Sequence, residues 1–249
     1  MARTLRMGRK PVRTVAIVPA AGMGLRMGGA VRKQFRPLGG LPLLVHSLRV
    51  FQSSLLIEAV IVAVPEPDLG YCRRDIVQAH GFTKVTQIVA GGKERQDSVR
   101  HALAVVDEAV DLVVIHDAVR PCVTPTMVDQ VVEAAQADGA AIIAVPMRDT
   151  VKQVGADHVI ERTIDRKSLW LAQTPQAFRR DWLAEAHRKA LAEGLAATDD
   201  AYLLEWMGRP VRVIEGSGEN IKVTKPEDLV IGEAILALRQ SGDRQMDEV

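Results

Sequence analysis

Apolar runs rich in Val, Ile and Ala alternate with amphipathic segments along most of the chain. TVAIVP (Thr14–Pro19) is followed by a glycine-bearing stretch and then by PLLVHSLRVFQ, which is apolar at helical spacing and starts near Pro42. EAVIVAVP precedes the helix-like LGYCRRDIVQAH, and KVTQIVA leads through Gly91-Gly92 into KERQDSVRHALAVV. DLVVIH leads through DAVRP into TPTMVDQVVEAAQA, and GAAIIAVP comes next. Short continuous apolar runs fit strands buried on both faces, and their alternation with helices predicts a mainly parallel sheet. Pro19, Pro65 and Pro146 close three of the runs, where a strand gives way to a loop.

Residues 148–166 break this rhythm. RDTVKQVGADHVIERTIDR alternates apolar and polar positions on either side of GADH, with Val151, Val154, Val159, Ile160 and Ile164 as the apolar members. That is the pattern of a β-hairpin, and one with so little apolar content is marginal alone, so it is expected to lean on a second subunit. Helical segments RRDWLAEAHRKALAEG and TDDAYLLEWMG, a strand PVRVIEG and a final helix to about Arg239 complete the pattern. The predicted fold class is α/β: a Rossmann-like, mainly parallel sheet with helices on both faces, plus a protruding β-hairpin arm. Residues 1–13 read as a flexible tail, 14–239 as one domain containing the arm, and 240–249 as a frayed end.

Composition narrows the function. The chain has 249 residues, 47% of them hydrophobic and 25% charged, with a formal charge of +1. This suits a globular domain and lacks the basic excess of a nucleic-acid binder. No apolar stretch approaches the roughly 20 residues of a membrane helix. Cys72 and Cys122 are too few for a disulfide framework, which points to a reducing, cytoplasmic setting.

The candidate chemistry starts after the first strand. VPAAGMGLRMGGAVRKQF (Val18–Phe35) joins backbone freedom to the cations Arg26, Arg32 and Lys33. Gly24 and Gly29 have Walker spacing, but Ala30 and Val31 follow where Lys and Ser or Thr are required. Gly22-Met23-Gly24 is followed by Gly28, one residue too late for a dinucleotide fingerprint, and the first acidic residue afterwards is Glu58. A flexible surface loop would share these glycines. Its place after a buried first strand favours an anion-binding loop, because ligands of such sheets gather at the strands' carboxyl ends.

Other strand ends carry related groups. Gly91 and Gly92 form a strand-to-helix turn, where a helix N-terminus favours anionic or polar ligands. His116, Asp117 and Arg120 follow one apolar strand, and Arg148, Asp149, Thr150 and Lys152 follow another. Lys222 stands between Ile221 and Val223, just before a helix started by Thr224 and Pro226. Asp117 could bind ribose hydroxyls or Mg²⁺. GxSxG, HExxH and Cys-His metal spacings are absent from the sequence. Cations, a few carboxylates and glycine amides suit transfer between phosphates better than hydrolysis or redox chemistry.

Together PAAGMGLRM, RKQF, GGKERQDSV, HDAVRP, RDTVK, TIDR, QTPQAF, TDDA and NIKVTKPED resemble the 2-C-methyl-D-erythritol 4-phosphate cytidylyltransferases of the non-mevalonate isoprenoid pathway. The resemblance runs in order from about Thr14 to Arg239. It implies transfer of CMP from CTP to methylerythritol 4-phosphate, with Mg²⁺ as cofactor and pyrophosphate as second product. It further implies that Arg26 and Lys33 stabilise the pentavalent α-phosphate, and that Arg166 and Lys222 position the sugar phosphate. Ala20, Ala21, Gly22 and Gly24, with Gly91, Gly92, Lys93 and Ser98, match nucleotide-lining positions. Asp117, Arg120 and Thr150 match groups near the ribose and the second substrate. The arm is implied to form a homodimer and to carry Thr150 and Arg166 towards the partner's site.

Arg32-Lys33-Gln34-Phe35-Arg36 stands where the family usually has Pro-Lys-Gln-Tyr-Leu. This predicts a less rigid approach to Lys33 and a rival cation in Arg32. No second enzyme domain follows the last helix, so a fused bifunctional form is not expected. Two other readings stay open: a ribitol 5-phosphate cytidylyltransferase, with similar loops, and a nucleotide-binding regulatory module without turnover. RDTVK, TIDR and TDDA favour methylerythritol phosphate over ribitol phosphate.

Overall fold

The structure, a computed structural model, describes residues 12–22 and 32–247. In chain order the elements are β1 (Thr14–Pro19), a small hairpin β2 (Pro37–Leu38) and β3 (Leu41–Pro42), α1 (Leu43–Ser53), β4 (Ala59–Val64), α2 (Leu69–Tyr71), β5 (Val85–Ala90) and α3 (Arg95–Leu103). They continue with β6 (Leu112–Ile115), α4 (Pro125–Asp138), β7 (Ala140–Pro146), β8 (Val151–Val154), β9 (Ile160–Ile164), β10 (Trp170–Arg179), α5 (Arg180–Glu193), α6 (Asp200–Trp206), β11 (Arg212–Glu215) and α7 (Pro226–Asp247). The main sheet has the order β11-β7-β10-β6-β1-β4-β5. Neighbours are parallel except β10, which runs antiparallel to both β6 and β7.

The continuous apolar runs divide cleanly between two cores. Ala16 and Val18 of β1, Val60, Val62 and Val64 of β4, and Val114 of β6 face the core shared with α1 and α4. Val15, Ile17, Ile61, Ala63, Val113 and Ile115 face the other, shared with α3, α5 and α6. The period-two alternation of a strand thus places one apolar set on each face, which is why no polar position interrupts these runs. Helix α4 is capped at both ends. Thr124 Oγ1 accepts from the Met127 N–H, Pro125 opens the helix, and Gly139 closes it at φ 90°.

Because β1 connects to β4 on one side while β6 returns on the other, the sheet's switch point lies between β1 and β6. Their carboxyl ends, residues 20–22 and 116–120, therefore border the crevice where ligands of such sheets bind.

Three features differ from the sequence reading. Strand β10 was not anticipated: Gln173, Thr174 and Gln176 interrupt its apolar pattern, yet all three are buried, and its pairing shifts register between Ala172 and Gln176. The segment after β4 is helical as expected, but it passes from a 3-10 turn (Glu66–Asp68) through α2 into a wide π-type turn at Cys72–Gln78. Helix α7 runs to Asp247, past the expected end near Arg239, because its polar last turns carry no apolar period from which to read a helix. Of the expected tail at 1–13, residues 1–11 lie outside the described residues, while Arg13 is held by Asp111 and Glu58.

The arm is present. β8 and β9 pair antiparallel from Val151↔Ile164 to Val154↔Ile160, as a sheet separate from the main one. Val154, Val159 and Ile160 on it are exposed, as are Trp170 and Leu171 at the start of β10. No helix among the described residues is long and apolar enough to cross a membrane.

Candidate active site

A cleft of about 200 Å³ opens at the switch point. Residues 19–22 after β1 form one wall, Gly92 to Arg95 and Ser98 a second, and Asp117 to Val119 the floor, with Lys33 and Lys222 at the rim. Of the residues the sequence nominates, this cleft gathers Ala20, Ala21, Gly22, Lys33, Gly92, Lys93, Ser98, Asp117 and Lys222. Arg26 and Gly24 lie outside the described residues.

Gly91 sits behind the second wall, where its lack of a side chain sets the geometry. A Cβ there would stand 2.2 Å from Ala21 Cβ, and one on Gly92 would stand 2.2 Å from Asp97 Cβ. Only glycine lets the β5–α3 turn close against the end of β1. The Gly91 N–H donates to the Val64 carbonyl at 2.8 Å rather than to the cleft. Glu94 and Asp97 cap α3 reciprocally, and the Gly92 N–H donates to Ser98 Oγ at 3.1 Å. What this turn supplies to the cleft is close shape.

Asp117 is the centre of charge. It is only 6% exposed, yet Arg95 Nε donates to its Oδ1 at 2.8 Å and Lys222 Nζ lies 2.7 Å from its Oδ2. Burial by itself would raise this carboxyl, but Arg95 and Lys222 together hold it well below the usual carboxylate range. Arg95 in turn places NH1 2.7 Å from Asp200 Oδ2, and Asp200 Oδ1 lies 3.0 Å from His187 Nε2. Burial works against the Arg95 charge, and the two carboxylates more than reverse that, raising it above its ordinary value. Arg95 and Asp200 were not nominated from the sequence, although both stand inside quoted motifs, GGKERQDSV and TDDA. His187 left no signal, since a histidine in an amphipathic helix reads as any other polar position.

Hydrogen bonds fix the backbone beneath Asp117. His116 Nε2 meets the Arg120 carbonyl at 3.2 Å, so that nitrogen carries the proton and Nδ1 accepts from Thr174 Oγ1 at 3.1 Å. Thr174 Oγ1 then accepts the Asp117 N–H at 3.0 Å. Full burial, with Phe51 edge-on at 5.4 Å, pushes His116 down to about 4. Arg120 NH1 donates to the Asn220 carbonyl at 2.7 Å, and Asn220 Nδ2 donates to the Thr174 carbonyl at 2.9 Å. The strand end that carries Asp117 and the loop that carries Lys222 are thereby tied through β10.

A second cleft, of about 210 Å³, lies across the Arg95–Asp117–Lys222 bar. Arg120, Gln173, Thr174, Gln176, Thr198 and Asp199 line it. Thr150 and Arg166 line neither cleft: both are exposed at the base of the arm, where Arg166 NH1 donates to the Arg148 carbonyl. A larger depression of about 590 Å³ sits at the sheet's opposite edge, but Asp138 and Asp181 there are already paired with Arg212 and Arg179.

Arg32, expected as a rival cation to Lys33, does not line the cleft. Arg32 Nε lies 2.6 Å from Asp68 Oδ2, and the 3-10 turn Lys33–Phe35, with Phe35 edge-on to Tyr71 at 4.9 Å, braces Lys33 without a proline. Among the described residues no three His, Cys, Asp or Glu side chains converge as a metal site. A Mg²⁺ ion here would be carried largely by a ligand's phosphates, because the cleft's carboxylates, Asp117 and Glu94, are engaged by Arg95 and Lys222 and by the α3 cap.

The family described as 2-C-methyl-D-erythritol 4-phosphate cytidylyltransferase matches residues 14–238. A protein of that name from Pelotomaculum thermopropionicum is 47% identical over 228 residues, covering 92% of this chain and 96% of its own. One from Syntrophus aciditrophicus is 49% identical over 224 residues, covering 90% and 96%. The crystal structure of 4-diphosphocytidyl-2C-methyl-D-erythritol synthase from Anaerococcus prevotii superposes with a TM-score of 0.80 at 30% identity, covering 91% of this chain and 97% of that one.

Burial of neutral His116 has a consequence for stability. The unfolded chain binds a proton there below about pH 6.5, while the folded chain resists until about 4, so stability falls as pH drops through that window. We expect His116→Asn to flatten the urea-unfolding free energy between pH 6.5 and 4.5 by up to about 1.4 kcal/mol per pH unit relative to the parent. Equal slopes in the two proteins would refute a neutral His116.

Proposed function

The chain belongs to the 2-C-methyl-D-erythritol 4-phosphate cytidylyltransferase family and transfers CMP from CTP to that sugar phosphate; we propose that it does so across the Asp117 bar, with Lys33 and Lys222 on the reacting phosphates. The observation that carries this reading is the pair of clefts sharing Arg95, Asp117 and Lys222. CTP occupies the glycine-walled cleft. The methylerythritol phosphate occupies the polar one, where Arg120, Thr174 and Thr198 suit a polyol.

The acceptor's phosphate, with a second pKa of about 6, is already an anion at neutral pH, so no general base is required. Its oxygen forms a bond to the α-phosphorus as the bond to the bridging oxygen of pyrophosphate breaks. Negative charge concentrates on the α-phosphate oxygens, and Lys33 offers a positive charge at the rim beside them. Arg26 is assigned the same role from the family resemblance. Lys222 exchanges Asp117 Oδ2 for a substrate phosphate oxygen, and Asp117 stays countered by Arg95 meanwhile. Bound Mg²⁺ supplies Lewis-acid charge neutralisation on the triphosphate. Purified protein with CTP and Mg²⁺ should release pyrophosphate far faster with methylerythritol 4-phosphate than with ribitol 5-phosphate, and EDTA should abolish the release. The reverse preference would leave the chemistry intact and remove the assigned acceptor.

A regulatory module would need charge for binding only. Arg26→Met and Lys33→Met are expected to lower kcat about 10²–10³-fold while weakening CTP binding less than about tenfold. Equal losses in binding and turnover would assign these cations to binding alone.

The arm's exposed Val154, Val159 and Ile160, together with Trp170 and Leu171, support a homodimer in which Thr150 and Arg166 serve the partner's site. Sedimentation velocity should find a dimer for the full chain and a monomer after deletion of residues 151–164; a monomeric full chain would contradict the arrangement. Free Cys72 and Cys122, both buried and pushed up to about 12 and about 11 by that burial, support a cytoplasmic setting, which cell fractionation tests.

A further inference from the structure

The charge chain does not end at Asp117. It continues through Arg95 to Asp200, which opens α6 and is 1% exposed, and on to His187 in the middle of α5, which is 2% exposed. Neither residue lines a cleft. We infer that Asp200, oriented by His187, is a positioning residue that keeps Arg95 from taking both oxygens of Asp117 and so leaves Oδ2 for Lys222. This rests on the reading of Lys222 as a substrate-phosphate group.

The argument starts from the guanidinium. Arginine prefers to meet a carboxylate side-on, with two parallel N–H donors on its two oxygens. Arg95 does not do so here: Nε goes to Asp117 and NH1 to Asp200, while NH2 is buried without a hydrogen-bond partner. The guanidinium is split between two carboxylates: by holding Nη1, Asp200 fixes the tilt at which only Nε meets Asp117, and Nη2, the side-on partner of Nε, stays off Asp117 Oδ2. Along the chain the charges alternate, Lys222 positive, Asp117 negative, Arg95 positive, Asp200 negative. His187 terminates it, with Nε2 donating to Asp200 and Nδ1 buried without a hydrogen-bond partner. Without the Nε2–H donor, Asp200 Oδ1 would be a buried, unpaired oxygen. The carboxylate would lose the orientation that aims Oδ2 at Arg95.

The donor's position provides the test. A glutamine amide nitrogen falls near histidine Nε2, whereas an asparagine amide nitrogen falls near Nδ1 and cannot reach Asp200. The intact enzyme is assayed by pyrophosphate release from CTP and methylerythritol 4-phosphate; no release by the parent would fail the functional reading itself. Given an active parent, His187→Leu and His187→Asn should each lower kcat/KM for the sugar phosphate roughly tenfold, and His187→Gln should recover it to within about threefold. In a Lys222→Met background, His187→Leu should cost almost nothing further, because the group it positions is gone. Should the leucine variant fail to fold, the glutamine–asparagine contrast and the asparagine cost in the Lys222→Met background decide the matter. Parent-like activity in the asparagine variant, equal losses in the asparagine and glutamine variants, or an undiminished cost in the Lys222→Met background would each overturn the inference and leave His187 a packing residue.

Discussion

The site depends on one buried carboxylate held by two cations of different kinds. Asp117 is drawn from water at the end of β6, where an unpaired charge would be untenable, and removing one partner of such a pair costs about 3–5 kcal/mol. Arg95 is its second counterion, less exposed than Lys222 and tied onward to Asp200. Lys222 is the exchangeable one: its side chain is 41% exposed, on a loop that reaches both clefts. On the proposed mechanism, this division of labour lets a cation leave for a substrate phosphate without stranding the carboxylate.

The rest of the architecture serves that arrangement. Strand β10 runs against the grain of the sheet between β6 and β7, and its buried Gln173, Thr174 and Gln176 put polar groups where a parallel strand would have put valine. Through Thr174 it fixes the backbone of Asp117, and through Asn220 it fixes the loop of Lys222. The glycine pair at the end of β5 does complementary work by removing bulk, so that α3 brings Arg95 up to Asp117 from the other side. Four separate segments, the β6 end, α3, β10 and the Lys222 loop, therefore meet at one charge.

Much of the fold was legible because its signals are local. The alternate burial of β1, β4 and β6 follows from continuous Val and Ile runs, α4 from the amphipathic TPTMVDQVVEAAQA, and the arm from the two-residue period of 151–164. Cleft-lining groups at strand ends, among them Lys33, Asp117 and Lys222, were legible for the same reason, since the carboxyl edge of such a sheet is where ligands bind. Strand β10 was not legible: polar residues buried by distant partners look, in sequence, like residues exposed to water.

The amino-acid sequence by itself determined the layered sheet and, through its motifs, the family. Tertiary structure alone decided which charges meet. Arg32 turns to Asp68, Arg95 divides itself between Asp117 and Asp200, and His187 reaches the site through a carboxylate on another helix. Periodicity and capping act over a few residues of chain and leave a mark in order and spacing. A buried ion pair acts across a hundred residues through space, and its energy depends on desolvation, which no linear pattern records.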